Sequence, residues 1–480
     1  MTKADFRKIN KYIWELPKSF RKDMRVPARA YSSEKLLEDM LQDKTLEQLV
    51  NGSTLPGLVR YAMVMADGHE GYGVPIGFVG ATDAEEGVIS PGTVGFDQNC
   101  GMRLLTSQLT ADEIKPKLDA VASEIQKEVP SGLGRGRKLK FGIPDMNRIL
   151  EAGSRYFVEQ GYGEQADLDN CEESGKMNGA ASALVSERAK KRGSNQAGTL
   201  GSGNHFLEIQ RVDEIFDEES AKAMGLFSNQ VVVMIHTGSR GLGHQNATDY
   251  IRLATQAVKK YKINLPDKEL ACMPFKSDEG QRYFGALACG INFAWANRQM
   301  IAHFTRKAWE KVMGEAGGEL RMVYDVAHNT AKLENYDVDG KDTQLVVHRK
   351  GATRAFPPGH KDIPEKYRQI GQPVFIPGSM GTASYVLVGV PEGEETFYTA
   401  NHGAGRTMSR HQAIRTLSAK EIVRDLEKKG ILIKCWSMRG VAEEAPQAYK
   451  DIEEVVNVVH DSKISKKVAR LIPLAVIKGE

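Results

Sequence analysis

Four histidines, His205, His236, His328 and His402, each stand beside a short apolar run and small or glycine-rich residues. That is how a strand end hands an imidazole to a loop. Upstream, Gly95-Phe96-Asp97-Gln98-Asn99-Cys100-Gly101 brings a carboxylate close to a thiol. Imidazole, thiolate and carboxylate together make up the donor set of a transition-metal site. A thiolate is soft enough to bridge two divalent ions, and a carboxylate adds hard oxygen. Each feature also has a plain structural reading. Cys100 alone reads as a buried cysteine in a glycine turn, and Asp67 before Gly68 as an Asx-turn cap. The grammar shared by the segments favours the metal site.

Other residues extend this chemistry. In Gly201-Ser202-Gly203-Asn204-His205-Phe206-Leu207-Glu208 the glycines permit close backbone approach to a ligand, with Asn204, His205 and Glu208 facing one pocket. In Ile235-His236-Thr237-Gly238-Ser239-Arg240-Gly241 a very apolar strand ends in polar groups, and Arg240 is suited to a phosphate. In His402-Gly403-Ala404-Gly405-Arg406 the small turn leaves amides free to face an anion, and Arg406 adds charge. An imidazole there is placed to attack phosphorus and form a phosphoramidate. Asp67 is a candidate to orient that imidazole, as a carboxylate does in a catalytic triad. The remaining histidines, His69, His244, His303, His348, His360, His411 and His460, read mainly as structural or surface residues. His69 is the most open of them, because it lies in a glycine loop.

Elements must carry these residues. Apolar periodicity predicts helices over 34–50, 111–129, 176–192, 284–309 and 419–429, and strands over 61–66, 74–81, 231–235, 322–326 and 386–390. The first strand should break at a glycine loop beginning with Asp67. The 284–309 helix is rich in alanine, yet Asn292, Asn297, Arg298, Gln299 and His303 make it unusually polar for a core helix. No low-complexity linker or repeat interrupts the chain. The expected fold is a mixed α/β (α+β) unit, one large compact domain over 1–480 with long functional loops and a central metal-binding cleft.

Bulk composition sets the outer bounds. The chain has 480 residues, 41% hydrophobic and 26% charged, which suits an ordinary soluble globular protein. A net charge of +3 is too small to demand a nucleic-acid partner, although local basic clusters can still hold phosphate. The five cysteines are odd in number and widely spaced, which argues against a disulfide framework and for a reducing cytoplasm. The charged N-terminus lacks a signal-peptide core, and no run approaches the ~18 apolar residues of a membrane span.

Six segments are long enough to compare with known families. They are Asp67-Gly68-His69-x-Gly71-Tyr72-Gly73, Gly87-Val88-Ile89-Ser90-Pro91-Gly92, Asp97-x-Asn99-Cys100-Gly101, Gly201-Ser202-Gly203-Asn204-His205-Phe206, His236-Thr237-Gly238-Ser239-Arg240-Gly241 and His402-Gly403-Ala404-Gly405-Arg406. Together they resemble the RtcB family of RNA-splicing ligases, over almost the whole chain. The resemblance implies a GTP- and Mn²⁺-dependent ligase. It would join RNA ending in a 2′,3′-cyclic phosphate or 3′-phosphate to RNA with a 5′-hydroxyl, in tRNA splicing or RNA repair, and an archease-type activator is a possible partner. It implies Asp97, Cys100, His205, His236 and His328 as ligands of two Mn²⁺, with Cys100 between them. His402 would be the nucleophile that takes GMP, oriented by Asp67. Asn204, Phe206, Glu208, Ser379, Ser384, Tyr449 and Lys478, with Gly403, Ala404, Gly405 and Arg406, would line the guanylate pocket, where His205 and His328 would also adjoin the nucleotide. Lys191, Arg192, Arg240 and Arg410 are weaker candidates for RNA phosphates.

Two positions depart from the family pattern: Gln98, where relatives often carry an apolar residue, and Glu70, where Gln is usual. Glu70 would add negative charge near the metals. Two other readings use the same residues. One is a two-metal phosphoesterase with water as nucleophile; the other is an RNA-end-binding protein without catalysis. Presence of every ligand and of the His402 turn speaks against the second.

Overall fold

The computed structural model describes residues 1–132, 137 and 139–479. Two large sheets and one long helix set up the site. The first sheet runs, in spatial order, Arg321–Ala327, Gly101–Thr110, Gln230–Thr237, Phe206–Ile215, Ser465–Lys478, Ser384–Gly389, Pro373–Ile376. Neighbours along this path are antiparallel, and a short strand, Leu432–Cys435, adds in parallel to Ser465–Lys478. The second sheet contains Leu58–His69, which pairs antiparallel with Ile76–Asp83.

Register brings the candidate ligands together. Gly101 lies opposite both Ala327 and Thr237, His236 lies opposite both Met102 and Phe206, and Phe206 lies opposite Lys478. In an antiparallel sheet the start of one strand adjoins the end of the next. Cys100 precedes one strand, His236 nearly ends its neighbour, His205 precedes the third and His328 follows the fourth. All four thus lie on one sheet edge, and Lys478 ends a fifth strand there.

The sequence reading of the strands largely holds, with shifted ends. Residues 231–235 fall within Gln230–Thr237, 322–326 within Arg321–Ala327, and 386–390 overlap Ser384–Gly389. The 61–66 strand is longer than expected, Leu58–His69, so Asp67 sits inside the strand and not in the following loop. His205 also differs from the expected pattern: it enters the Phe206–Ile215 strand from the glycine turn and does not end a strand.

Three predicted helices need correction. The 34–50 stretch is two helices, Glu34–Leu41 and Thr45–Gly52, because the Asp43 carboxylate accepts from Thr45 N–H at 2.8 Å and restarts the chain. The 111–129 stretch breaks around Pro116 into Ala111–Ile114 and Leu118–Glu128. Over 176–192 only Glu187–Gly193 is α-helical, and Ser186 caps it by accepting from Ala189 N–H. Upstream, Gly179 takes φ 82°, a left-handed turn that ends any helix there. The 419–429 helix appears as Ala419–Lys428.

The 284–309 prediction lies inside Asp278–Met313, a 36-residue helix buried through most of its length. Its polar residues are used internally. Asn292 Oδ1 accepts from Met177 N–H at 2.7 Å, and Asn297 Oδ1 accepts from Gly198 N–H at 2.8 Å. These side chains fasten irregular loops to the core, which explains polarity in a buried helix. Cys100, Cys171, Cys272 and Cys289 are buried free cysteines. No helix among the described residues is long and apolar enough to cross a membrane.

Candidate active site

One donor atom each from Asp97, Cys100 and His205 falls within 4.8 Å of the others. His205 Nε2 is 2.8 Å from Asp97 Oδ2, and Cys100 Sγ is 3.2 Å from His236 Nε2 and 3.5 Å from His205 Nε2. The His236 and His328 ring centroids are 5.6 Å apart. Each imidazole is oriented from behind. His205 Nδ1 donates to the Leu200 carbonyl at 3.1 Å and His236 Nδ1 to the Asn204 carbonyl at 3.2 Å; His328 Nδ1 is 2.7 Å from Thr353 Oγ1. A carbonyl only accepts, so Nδ1 carries a proton in the first two, and Nε2 is the atom that a metal would take. His328 Nε2 is buried with no hydrogen-bond partner among the described residues.

Electrostatics favours a cation here. Burial alone would push the Asp97 carboxyl up; hydrogen bonding and charge from His205, then Arg240 and Ser239, hold it well below the usual carboxylate range. Burial and the Asp97 carboxylate push the Cys100 thiol up. Burial and neighbouring imidazoles push His236 and His328 down, so both stay neutral. Neutral imidazoles, an ionised carboxylate and a thiol whose charged form needs a cation fit a divalent metal. The orphaned His328 Nε2 fits it as well.

Beside this cluster the His328 and His402 ring centroids are 5.4 Å apart. His402 Nδ1 is 2.6 Å from Asp67 Oδ2, which also accepts from the His402 and Gly403 main-chain N–H groups at 3.1 and 3.2 Å. The carboxylate accepts a hydrogen bond from Nδ1–H, which leaves the lone pair on Nε2. The strand Thr399–Asn401, paired with Ala352–Arg354, delivers His402, and Leu58–His69 delivers Asp67. Gly405, at φ 76°, closes the turn against the Asp67 carbonyl, and Lys450 N–H donates to the Gly405 carbonyl at 2.9 Å.

His402 opens into a cleft of about 860 Å³. Its walls include Asn204, Phe206, Glu208, Ser379, Tyr449 and Lys478 together with Gly403 to Arg406. Ser384 stands behind the wall, where its Oγ accepts from Gln210 Nε2 at 3.1 Å. Burial raises the Glu208 carboxyl to about 8, against the opposing pull of the Gln210 hydrogen bond and Lys478. Lys478 Nζ donates to the Gly203 carbonyl at 2.8 Å. Arg406 Nη1 lies 3.2 Å from Glu444 and 3.1 Å from the Tyr449 hydroxyl.

Arg410 also lines the cleft. Arg240 is half-buried, with Nε 3.3 Å from Thr199 Oγ1 and its guanidinium against Gly201. Arg192 donates to Gln245 at 3.1 Å, whereas Lys191 is on the surface, paired with Glu187 at 3.1 Å, and does not line the cleft. Glu70 lines the cleft, 4.0 Å from Lys44. Gln98 is buried, with Oε1 accepting from Asn246 Nδ2 at 3.0 Å. His69, set aside in sequence, is in the cleft wall with Nδ1 donating to the Asp67 carbonyl at 2.9 Å.

The family model described as "tRNA-splicing ligase RtcB" matches residues 48–479. The chain belongs to the RtcB family. A Thermococcus kodakarensis protein named tRNA-splicing ligase RtcB is 53% identical, with 98% of each chain covered. A relative of the same name from Methanococcus maripaludis is 52% identical over 99% of this chain and 100% of its own. The Mycobacterium tuberculosis protein named RNA-splicing ligase RtcB is 49% identical over 90% of this chain and 100% of its own. Every site residue named above from Asp67 to Lys478 lies inside the span matched by the RtcB model.

Sequence reasoning missed Glu444, Gln210 and Lys450. Glu444 is buried between Arg406, Tyr449 and Lys478, where burial raises its carboxyl but Lys478 and Arg406 pull it lower. Its sole sequence signal is an acid beside alanines at a helix end.

Proposed function

We propose that the protein is a GTP- and Mn²⁺-dependent RNA ligase that joins a 2′,3′-cyclic phosphate or 3′-phosphate end to a 5′-hydroxyl end. RNA ligation in tRNA splicing is the coarse activity that RtcB family membership carries. The finer reading rests on one observation above all: the His402–Asp67 pair, 2.6 Å apart, shares a cleft edge with the donor cluster. A phosphoesterase using water would have no need of an oriented imidazole beside its metals.

Asp97, Cys100, His205, His236 and His328 would hold the Mn²⁺, which would supply Lewis-acid neutralisation of phosphate oxygens for in-line displacement. His402 Nε2 attacks the α-phosphorus of GTP; the N–P bond forms as the bond to pyrophosphate breaks. Asp67 accepts the hydrogen bond from Nδ1–H and balances the positive charge that develops on the ring. The Gly403–Arg406 turn presents amides and charge to phosphate, and Glu208 accepts from the guanine edge, which selects GTP over ATP. Water opens a cyclic phosphate to a 3′-phosphate. An oxygen of that phosphate takes GMP from His402, breaking the N–P bond and giving an RNA-3′-pp-G end. The 5′-hydroxyl then attacks the RNA phosphorus, losing its proton as GMP departs.

Incubation with α-labelled GTP and Mn²⁺ tests this reading. The protein is expected to become covalently labelled, and His402→Ala to lose the label completely. Turnover of phosphoesters without any labelled protein would support the phosphoesterase instead.

A further inference from the structure

Arg298, on the helix Asp278–Met313, plays no part in the chemistry above, yet it is completely buried beside the metal-donor loop. Its Nη1 donates to the main-chain carbonyls of Asn99 and Thr237, both at 2.8 Å. Its Nη2 donates to Asn99 Oδ1 and Asp325 Oδ1, both at 2.8 Å, and its Nε lies 3.0 Å from both Asp325 oxygens. Asn99 directly precedes Cys100, Thr237 directly follows His236, and Asp325 leads by a short step to His328. One planar fork therefore grips the backbone beside Cys100 and His236 and the Asp325 carboxylate on the strand that leads to His328.

The loop it grips is held in an unusual shape. Asn99 takes φ 50°, the left-handed region, which a non-glycine residue keeps only where its surroundings enforce it. The enforcement is visible. Asn99 Nδ2 donates to the Ile291 carbonyl at 2.8 Å and Asn99 N–H to the Asn329 carbonyl at 2.9 Å, while Arg298 takes both Asn99 oxygens. Gly101 makes room: a methyl there would come 2.9 Å from Arg298 Nη2.

Charge neutralisation alone does not require this arrangement. Arg103 is equally buried and binds the same Asp325 at 2.7 Å, with Gln299 as its other partner at 2.7 Å, and none of these bonds reaches the donor loop. Arg103 thus supplies an internal comparison.

We propose that Arg298, acting through Asn99, is a positioning residue that fixes the separation between Cys100 and His236 and so sets the affinity of the site for divalent metal. The proposal rests on the reading of these residues as metal ligands. Lysine, a point charge without the planar fork, cannot hold Asn99, Thr237 and Asp325 together.

Co²⁺ titration of the full chain tests this, followed by the thiolate-to-cobalt charge-transfer band, which reports Cys100 ligation and not the fold. Thermal unfolding of each variant without metal runs in parallel. Arg298→Lys is expected to raise the Co²⁺ half-saturation by roughly 10–100-fold, as loss of a partner behind a ligand does. Asn99→Gly keeps the positive φ but removes the side-chain links, and should weaken binding in the same direction with an unchanged melting temperature. Arg103→Lys should titrate like the parent. Should Arg298→Lys fail to fold, the Asn99→Gly and Arg103→Lys pair decides. Parent-like titration by Asn99→Gly, or equal weakening by Arg103→Lys, overturns the positioning role. Absence of the band in the parent itself overturns the metal reading, and this inference with it.

Discussion

Glu208 is a buried carboxyl in the cleft wall, placed for selectivity in our reading. Burial raises its carboxyl to about 8, so in the empty cleft at neutral pH it is mostly protonated. Guanine offers two N–H donors on one edge, and both carboxyl oxygens are free to accept only when the group is ionised. GTP capture in our reading therefore releases the Glu208 proton. The sign follows: below about 8 each step down in pH makes ionisation harder, so GTP affinity falls by up to about tenfold per pH unit. Above that value it should level off. Calorimetry in buffers of different ionisation enthalpy checks both the slope and the proton released; Glu208→Gln should abolish both. A pH-independent affinity in the parent would remove Glu208 from the guanine edge. Lys478 is a second residue-scale case. Its ammonium is buried 3.7 Å from Glu444 and faces the cleft. Lys478→Ala is expected to raise the GTP concentration needed for labelling at least tenfold while metal uptake stays normal. An unchanged GTP titration would refute that role.

At the scale of elements, the informative unit is the turn after Thr399–Asn401. Asp67 accepts three N–H groups from it, and Gly405 packs against the Asp67 carbonyl with φ 76°. Gly405→Ala adds a methyl that meets this carbonyl and imposes a left-handed alanine, itself worth roughly 1–3 kcal/mol of strain. Denaturant unfolding should show a loss of at least that size, and labelling of His402 should fall further than stability does, because the turn moves the nucleophile. Wild-type labelling would show that the turn does not position it. This turn was legible in sequence, since His-Gly-Ala-Gly-Arg announces both chemistry and conformation. The segments that converge here could also be picked out: His236 and His328 follow apolar strands, whereas Cys100 alone reads as a buried cysteine and stands out only in their company. What sequence could not show was register. Placing Cys100 beside His236 depends on Gly101 facing Thr237 across two strands far apart in the chain. Gln210 and Glu444 were missed because their meaning lies in partners that no local pattern names. The 176–192 helix was overread, because its charged residues suit a helix while the turn at Gly179 and the cap at Ser186 delay it.

For the molecule as a whole, the site is a meeting of two sheets. One edge of the first supplies the sulfur and imidazole donors, and the second supplies Asp67 to the imidazole that follows Thr399–Asn401. The helix Asp278–Met313 and the apolar clusters around it hold the body of the fold and contribute no candidate donor atom; Arg298 reaches only neighbours of the donors, such as Asn99 and Thr237. Metal removal should therefore disable chemistry and spare the fold. After chelation the far-ultraviolet circular dichroism and a cooperative melt should persist, labelling by GTP should vanish, and Mn²⁺ should restore it. Collapse of the spectrum on chelation would instead make the metal a structural one.

The most direct measurement is anomalous diffraction at the manganese edge from crystals grown with Mn²⁺ and GTP. The account predicts two peaks flanking Cys100 Sγ, ligated from Asp97, His205, His236 and His328, with the α-phosphorus facing His402 Nε2. Manganese bound elsewhere, or a nucleotide whose α-phosphorus lies beyond the reach of that imidazole, would contradict it.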